Sequence, residues 1–313
     1  MASALTHRFF PLLRALAGVL AVAWAVATVT FVLMRAIPGG PLSKERQVPA
    51  AVQAAIEARY HLDAPWWRQY ALYLKDAATG RFGPSYDDPG RTVGEIIAMR
   101  LPISVALGAC SLVLSLALAF PLGVAAATRP GRWPDRLNAL VAAAGVSIPS
   151  FILAALLLYV FAFRLRWLPA SGWRGPADAV LPAVALAALP TAYMARLIRS
   201  ELREVLGSEF LLAARAKGIS PLRVIAVHAL PHTLAPVLAY LGPQAAAVMT
   251  GSFVVERIFN IPGIGQQFVT SIANRNYPMI MGVTLCYTLM LVVFNILADA
   301  VARRLDPRLG RRP

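Results

Sequence analysis

The sequence predicts an all-α, multispanning membrane protein with six transmembrane helices and both termini on the cytoplasmic side. Three observations carry this. Hydrophobic residues make up 58% of the 313 positions, while charged residues make up only 14%. That is well below the quarter or so typical of soluble domains. Six stretches free of Asp, Glu, Lys and Arg, at residues 15–34, 101–128, 137–163, 179–195, 224–255 and 276–298, approach or exceed the twenty or so apolar residues that a helix needs to cross a bilayer. The loops between them carry an uneven distribution of arginine.

That distribution sets the orientation. With the N-terminus inside, the inner segments hold 16 Lys and Arg against six acids, among them Arg129, Arg132, Arg136, Arg196, Arg199, Arg203, Arg215, Lys217 and Arg223. The first outer loop, residues 36–99, is neutral. Positive charge is retained on the cytoplasmic side. The net charge of +15 does not indicate nucleic acid, because 27 of the 30 basic residues are arginines scattered between apolar runs.

The first run follows Arg8 and Arg14 and reads as a retained helix, since it is too long for a signal core and no small-residue cleavage site precedes Pro38-Gly39-Gly40. In the outer loop, residues 49–60 have helical spacing. Asp63 is a candidate N-cap with Pro65 in the first turn, and Trp66, Trp67, Tyr70, Tyr73 and Leu74 recur at helical spacing. This aromatic face fits an interfacial belt, packed on lipid or on neighbouring helices, better than a substrate-contacting surface. Thr92-x-x-Glu95 is a capping box that opens the second span. The fourth run is the shortest. The fifth holds Pro231 and Pro236, so its membrane portion is expected to begin near Pro236.

Several chemistries are excluded. None of the three lysines, Lys44, Lys75 and Lys217, follows Gly, so there is no phosphate loop for ATP. His228 and His232 have zinc-helix spacing but lack the acid and straddle Pro231. Ser147 has no base in its run, there is no GxSxG, and no ionisable group lies mid-span for a proton relay. Glu256 and Asp299 are expected at the membrane interfaces. Cys110 and Cys286 read as small buried residues, with neither a metal nor a disulfide pattern.

One inner loop stands apart. In EFLLAARAKGISPLRVIAVHALP, from Glu209 to Pro231, Ser208 is an N-cap candidate and Glu209 opens the helix. Phe210, Leu211, Ala214 and Ala213 form a small apolar face. Arg215 and Lys217 close the helix, and Gly218 supplies a left-handed turn. Ser220-Pro221 restarts a helix that runs to Leu230 and meets Pro231. On composition alone, a helix lying on headgroups and a protein-docking surface fit this loop equally well.

The loop resembles the EAA loop of ABC-type importer permeases, carried here by Ala213, Ala214, Gly218, Leu230 and Pro231. Leu212 stands where that pattern has an acid and His228 where it has an aliphatic, and the ARAKG form with HAL before the proline is typical of the peptide and nickel branch. RAIPGGP (35–41), RYHLDAPWWRQY (59–70), GRFGPSY (80–86), LPASGW (168–173), RLIRSELREVLGSEF (196–210), GSFVVERIFNIPGIGQQFV (251–269) and LDPR (305–308) match the branch in order, and the whole is most similar to the B-type permease subunits for oligopeptides.

The resemblance implies a type I ABC importer permease fold in a bacterial inner membrane. Its domains would be an N-terminal helix at 1–36, an extracytoplasmic loop at 37–95, a transmembrane domain at 96–304 whose coupling loop spans about 200–231, and a basic tail at 305–313. The implied coupling residues are Glu209, Ala213, Ala214, Arg215, Lys217, Gly218, Leu230 and Pro231. The implied partners are a second homologous permease, two ABC ATPase subunits that bind ATP and Mg, an extracytoplasmic peptide-binding protein and membrane lipid. The chain itself would be non-catalytic and hold no cofactor. Dipeptide, glutathione or nickel transport within the branch is the nearest alternative. A standalone membrane enzyme or a secondary carrier would need intramembrane acids, bases or metal ligands.

Overall fold

A computed structural model describes the backbone at residues 2–36 and 64–305, and the side chains at 17–36 and 64–301. The expected helix at 49–60, the Asp63 cap and the basic tail lie outside the described residues. Within them the protein is helical, with one isolated antiparallel bridge, Pro84 to Thr92.

The helices are α1 (Ala2–Ala36), α2 (Trp66–Thr79), α3 (Val93–Thr128), α4 (Trp133–Ser147), α5 (Ser150–Leu157), α6 (Pro176–Leu206), α7 (Glu209–Ala216), α8 (Pro221–Arg223), α9 (Leu230–Met249), α10 (Phe253–Ile258), α11 (Ile264–Ala273) and α12 (Tyr277–Leu305). Among the described residues, five helical stretches are long and apolar enough to span a membrane. They are Ala17–Ala36, Val93–Thr128, Pro176–Leu206, Pro221–Ile258 and Tyr277–Val301. A sixth follows if the α4–α5 pair counts as one span.

That pair corrects the expectation of a single third helix. The chain bends by 102° between α4 and the helix that begins at Ser150. Pro149 is the cause: its ring forces the preceding Ile148 out of helical geometry, to φ −95° and ψ 113°. After Leu157 the helix continues as a π-helical segment, Leu158–Arg164.

The contacts divide the chain into two units, Met1–Pro102 with Gln267–Val292, and Ile103–Gln266 with Val293–Pro313. In the first, Ala27 and Phe31 of α1 pack with Tyr73 of α2 and Leu285 of α12. Phe31 stacks on Tyr73 at 6.0 Å, and the Thr28 hydroxyl lies 2.6 Å from the Tyr70 hydroxyl. The aromatic face of α2 is therefore split: Tyr70 and Tyr73 pack on α1, while Trp66 and Trp67 stay exposed. Helix α2 begins after Pro65 in the cap position and ends at Gly80 with φ +67°. The Thr92 capping box forms as expected, with Thr92 N donating to Glu95 Oε2 (2.8 Å) and Glu95 N to Thr92 Oγ1 (3.2 Å). Asn276 is fully buried and donates to Ser85 Oγ (2.7 Å) and Asp87 Oδ2 (3.0 Å), pinning the outer loop to the start of α12.

In the second unit α6 is the most enclosed of the candidate spans, with 67% of its apolar window buried. A Cβ added at Gly145 would meet Ala192 Cβ at 2.6 Å, so at this point α4 and α6 approach through small residues. The same helices are joined by Arg199, whose guanidinium donates to Asp135 Oδ1 and, at 3.1 Å, to Oδ2.

Glu256 corrects a second expectation. Placed at an interface by the sequence reading, it is fully buried on α10. Its carboxylate accepts Ser104 Oγ (2.6 Å) and Gln266 N (2.8 Å), and Gly251, Gly263 and Gly265 leave room around it. A buried carboxylate is tolerated only when its oxygens have partners. Asp299 is exposed.

Candidate functional site

Helix α7 is eight residues long and too short to hold itself by propensity alone. It is fixed by one buried side chain. Leu211 has no exposed surface and packs with Ala127, Leu202, Val224 and Ala229, while Ala214, three residues on, is half-buried. The apolar face is thus narrower than the sequence suggested: Phe210 and Ala213 point outward. Phe210 rests edge-on against the His232 ring, 5.3 Å between centroids.

The helix start differs in detail from expectation. Ser208 occupies the N-cap position with extended backbone, but makes no side-chain cap. Its hydroxyl instead donates to Val205 O at 2.5 Å, tying the loop to the end of α6. Glu209 is left exposed in the first turn, where a negative charge suits the helix dipole.

The helix end is as the sequence dictates. Gly218 has φ +76°. Its N–H donates to Arg215 O (2.9 Å) and that of Ile219 to Ala214 O (3.4 Å), the paired bonds of a Schellman turn. Ser220 and Pro221 then restart the chain as α8.

The chain does not stop at Pro231. It continues from α8 through a π-helical segment, Val224–Ala229, into α9, with Pro231 in the first turn of α9. The wider π turn accommodates a proline that has no N–H to donate and whose ring would clash with an α-helical carbonyl four residues back.

These elements place the proposed residues in two groups. Glu209, Ala213, Arg215, Lys217 and Gly218 are exposed together on α7 and its turn, with Ala214 half-buried beneath. Leu230 packs into the floor formed by Leu202, Leu211 and Val224, and Pro231 is exposed on α9. Three apolar residues absent from the proposed set share the exposed loop: Leu212 (55% exposed), Leu222 (78%) and Val227 (56%). Their signal in the sequence was available, namely large aliphatics flanking a basic turn and outside the small apolar face of α7.

An exposed surface of one carboxylate, three cations (Arg215, Lys217 and Arg223), small alanines and aliphatics has no nucleophile–base pair. It suits a protein partner that brings its own chemistry.

Residues 119–311 match the model of a family described as binding-protein-dependent transport system inner membrane component. The chain belongs to that family. It is 45% identical over 284 residues to the dipeptide transport system permease protein DppB of Bacillus subtilis, covering 91% of this chain and 92% of the relative. It is 40% identical over 284 residues to the oligopeptide transport system permease protein OppB of Escherichia coli, covering 90% and 93%. Among solved structures, the methionine ABC transporter MetNI in an inward-facing conformation matches with a TM-score of 0.54 at 17% identity, over 67% of this chain and 96% of that chain. The fold of this family member is thus that of an ABC importer permease, an inner-membrane component.

Proposed function

We propose that this chain is the permease subunit of an ATP-driven importer of peptides, one half of a pore completed by a second homologous permease. An extracytoplasmic binding protein delivers the peptide, and two ATPase subunits bind ATP and Mg. The observation that carries this reading is the exposed helix and Schellman turn at Glu209–Gly218, in a family member that lacks a phosphate loop. A chain that moves cargo on ATP without binding it needs a surface on which an ATPase can pull.

In this reading Ala213 and Ala214 let the ATPase backbone approach α7, and Arg215 and Lys217 meet acidic groups of its groove. Leu212 and Leu222 seat in apolar pockets, and Gly218 sets the angle of the helix. Leu230 is the floor under α7 and Pro231 the hinge to α9. The chain itself is non-catalytic and holds no cofactor.

The cargo is assigned as oligopeptides, on the RYHLDAPWWRQY and GPSY stretches and on the OppB relative. Dipeptides are the second reading, favoured by the 45% identity to a permease named for dipeptide transport. Reconstitution of the whole importer in liposomes with its binding protein and ATP tests both. Uptake of a labelled pentapeptide resisting excess dipeptide supports the first, and the reverse pattern supports the second. Absence of ATP-dependent uptake of any peptide overturns the function.

A further inference from the structure

The first unit contains a cavity of about 550 Å³ that lies outside the Glu209–Pro231 loop. Its floor is apolar, with Phe31 of α1 and Met281 of α12 among the lining residues. Its rim is charged: Arg35 at the end of α1, Arg81 after α2, and Asp76 on α2, all three exposed. The Tyr73 side chain lines it too. This residue is only 7% exposed, and its hydroxyl has no hydrogen-bond partner. Burial also pushes the phenol above its ordinary range, so it stays a donor.

An unpartnered buried hydroxyl carries a real cost, and such groups in folded proteins ordinarily have a partner. A phenol hydroxyl can donate as well as accept, so an anion in the cavity can take its proton in a hydrogen bond. Arg35 has its guanidinium over the Phe31 ring at 5.3 Å, and Arg81 has no carboxylate partner among the described residues. Both are free to bind an anion.

Depth selects the anion's source. Arg35 lies in the last turn of the first candidate span and Tyr277 in the first turn of the last, and both line the cavity. The cavity therefore opens at the level where phospholipid headgroups lie, on the outer side by the arginine count. Below it on α1, Val29, Val32 and Leu33 are more than half exposed, an apolar track for acyl chains.

We propose that this cavity is a binding site for a phospholipid headgroup bearing a phosphate and a primary ammonium. The phosphate accepts from the Tyr73 hydroxyl and from Arg35 and Arg81. The ammonium pairs with Asp76. The acyl chains follow α1. The lipid seals α1 and α2 onto α12 and makes the outer half of this permease sensitive to headgroup composition. The inference rests on membrane placement and not on the identity of the cargo.

The test uses the whole importer, purified in mild detergent and titrated with phosphatidylethanolamine, phosphatidylcholine and diacylglycerol under native mass spectrometry. The unaltered complex should retain phosphatidylethanolamine over the other two. Arg35→Gln with Arg81→Gln should lower retention about tenfold, the loss expected for a charge-assisted contact. Tyr73→Phe keeps the ring packed on Phe31 and should lower retention severalfold, which guards against a merely unfolded arginine variant. Equal retention of diacylglycerol, or no change in Tyr73→Phe, overturns the proposal. So does displacement of the bound lipid by substrate peptide, which would make the cavity part of the transport path instead.

Discussion

Ser104 and Glu256, 152 residues apart in the chain, share a buried hydrogen bond of 2.6 Å. The Ser104 oxygen also accepts the backbone N–H of Ile264 at 2.9 Å, so one hydroxyl bridges α10 to the start of α11. Ser104→Ala removes one hydrogen bond from the buried carboxylate and takes the acceptor from the Ile264 amide. The expected loss is about 1–3 kcal/mol of stability, read as a lower melting temperature in detergent. An unchanged melting point would show that the site relaxes or is wet.

Gly263 leaves no room for a side chain, because a Cβ there would collide with the Glu256 carboxylate. Gly263→Ala should therefore destabilise the protein, and Glu256→Ala in the same chain should recover part of that loss. Residues in contact give non-additive effects of this kind, typically about 0.5–3 kcal/mol. Strictly additive effects would place the strain elsewhere.

Gly218 has open space around it but a φ of +76°. Substitution is penalised by the backbone and not by a clash, so the protein should still insert. Gly218→Val is expected to leave expression near normal, while ATP hydrolysis in the assembled importer ceases to track peptide uptake. Normal uptake by a stably expressed variant rules out the turn as the coupling element. Leu222→Ala, at a residue 78% exposed, should weaken ATPase co-purification without altering the melting point of the isolated permease.

Gly145 sets the α4–α6 separation through Ala188 and Ala192. Gly145→Leu forces those helices apart and should cost about 1–3 kcal/mol or more, seen as low yield of folded protein. A well-folded variant would mean that α4 can shift freely.

Orientation has a direct check. Ser208→Cys, in a chain with Cys110 and Cys286 replaced, should react with an impermeant thiol reagent only from the cytoplasmic side. Reaction in intact spheroplasts would invert the arginine-based topology.

The Gly218 turn was legible in the sequence because its causes are local. Gly218 takes a conformation other residues resist, and Ser220-Pro221 restarts a helix by fixed backbone geometry, so neither needs a distant partner. The Thr92–Glu95 cap was legible for the same reason. Other features were not. Pro231 reads as the end of the loop's second helix until the π-helical turn before it is seen, and residues 137–163 read as one span until the 102° bend appears. Ser208 offers a cap on paper, yet its hydroxyl finds Val205 O first.

Composition and run length by themselves determined a multispanning helical protein, because bilayer thickness acts on the linear chain, and arginine placement set the orientation to be tested. The tertiary structure alone decided that Glu256 is buried. A lone acid at the end of an apolar run reads as interfacial. Only folding brings Ser104 and the Gln266 amide to its oxygens, and three glycines around it, and so removes the need for water.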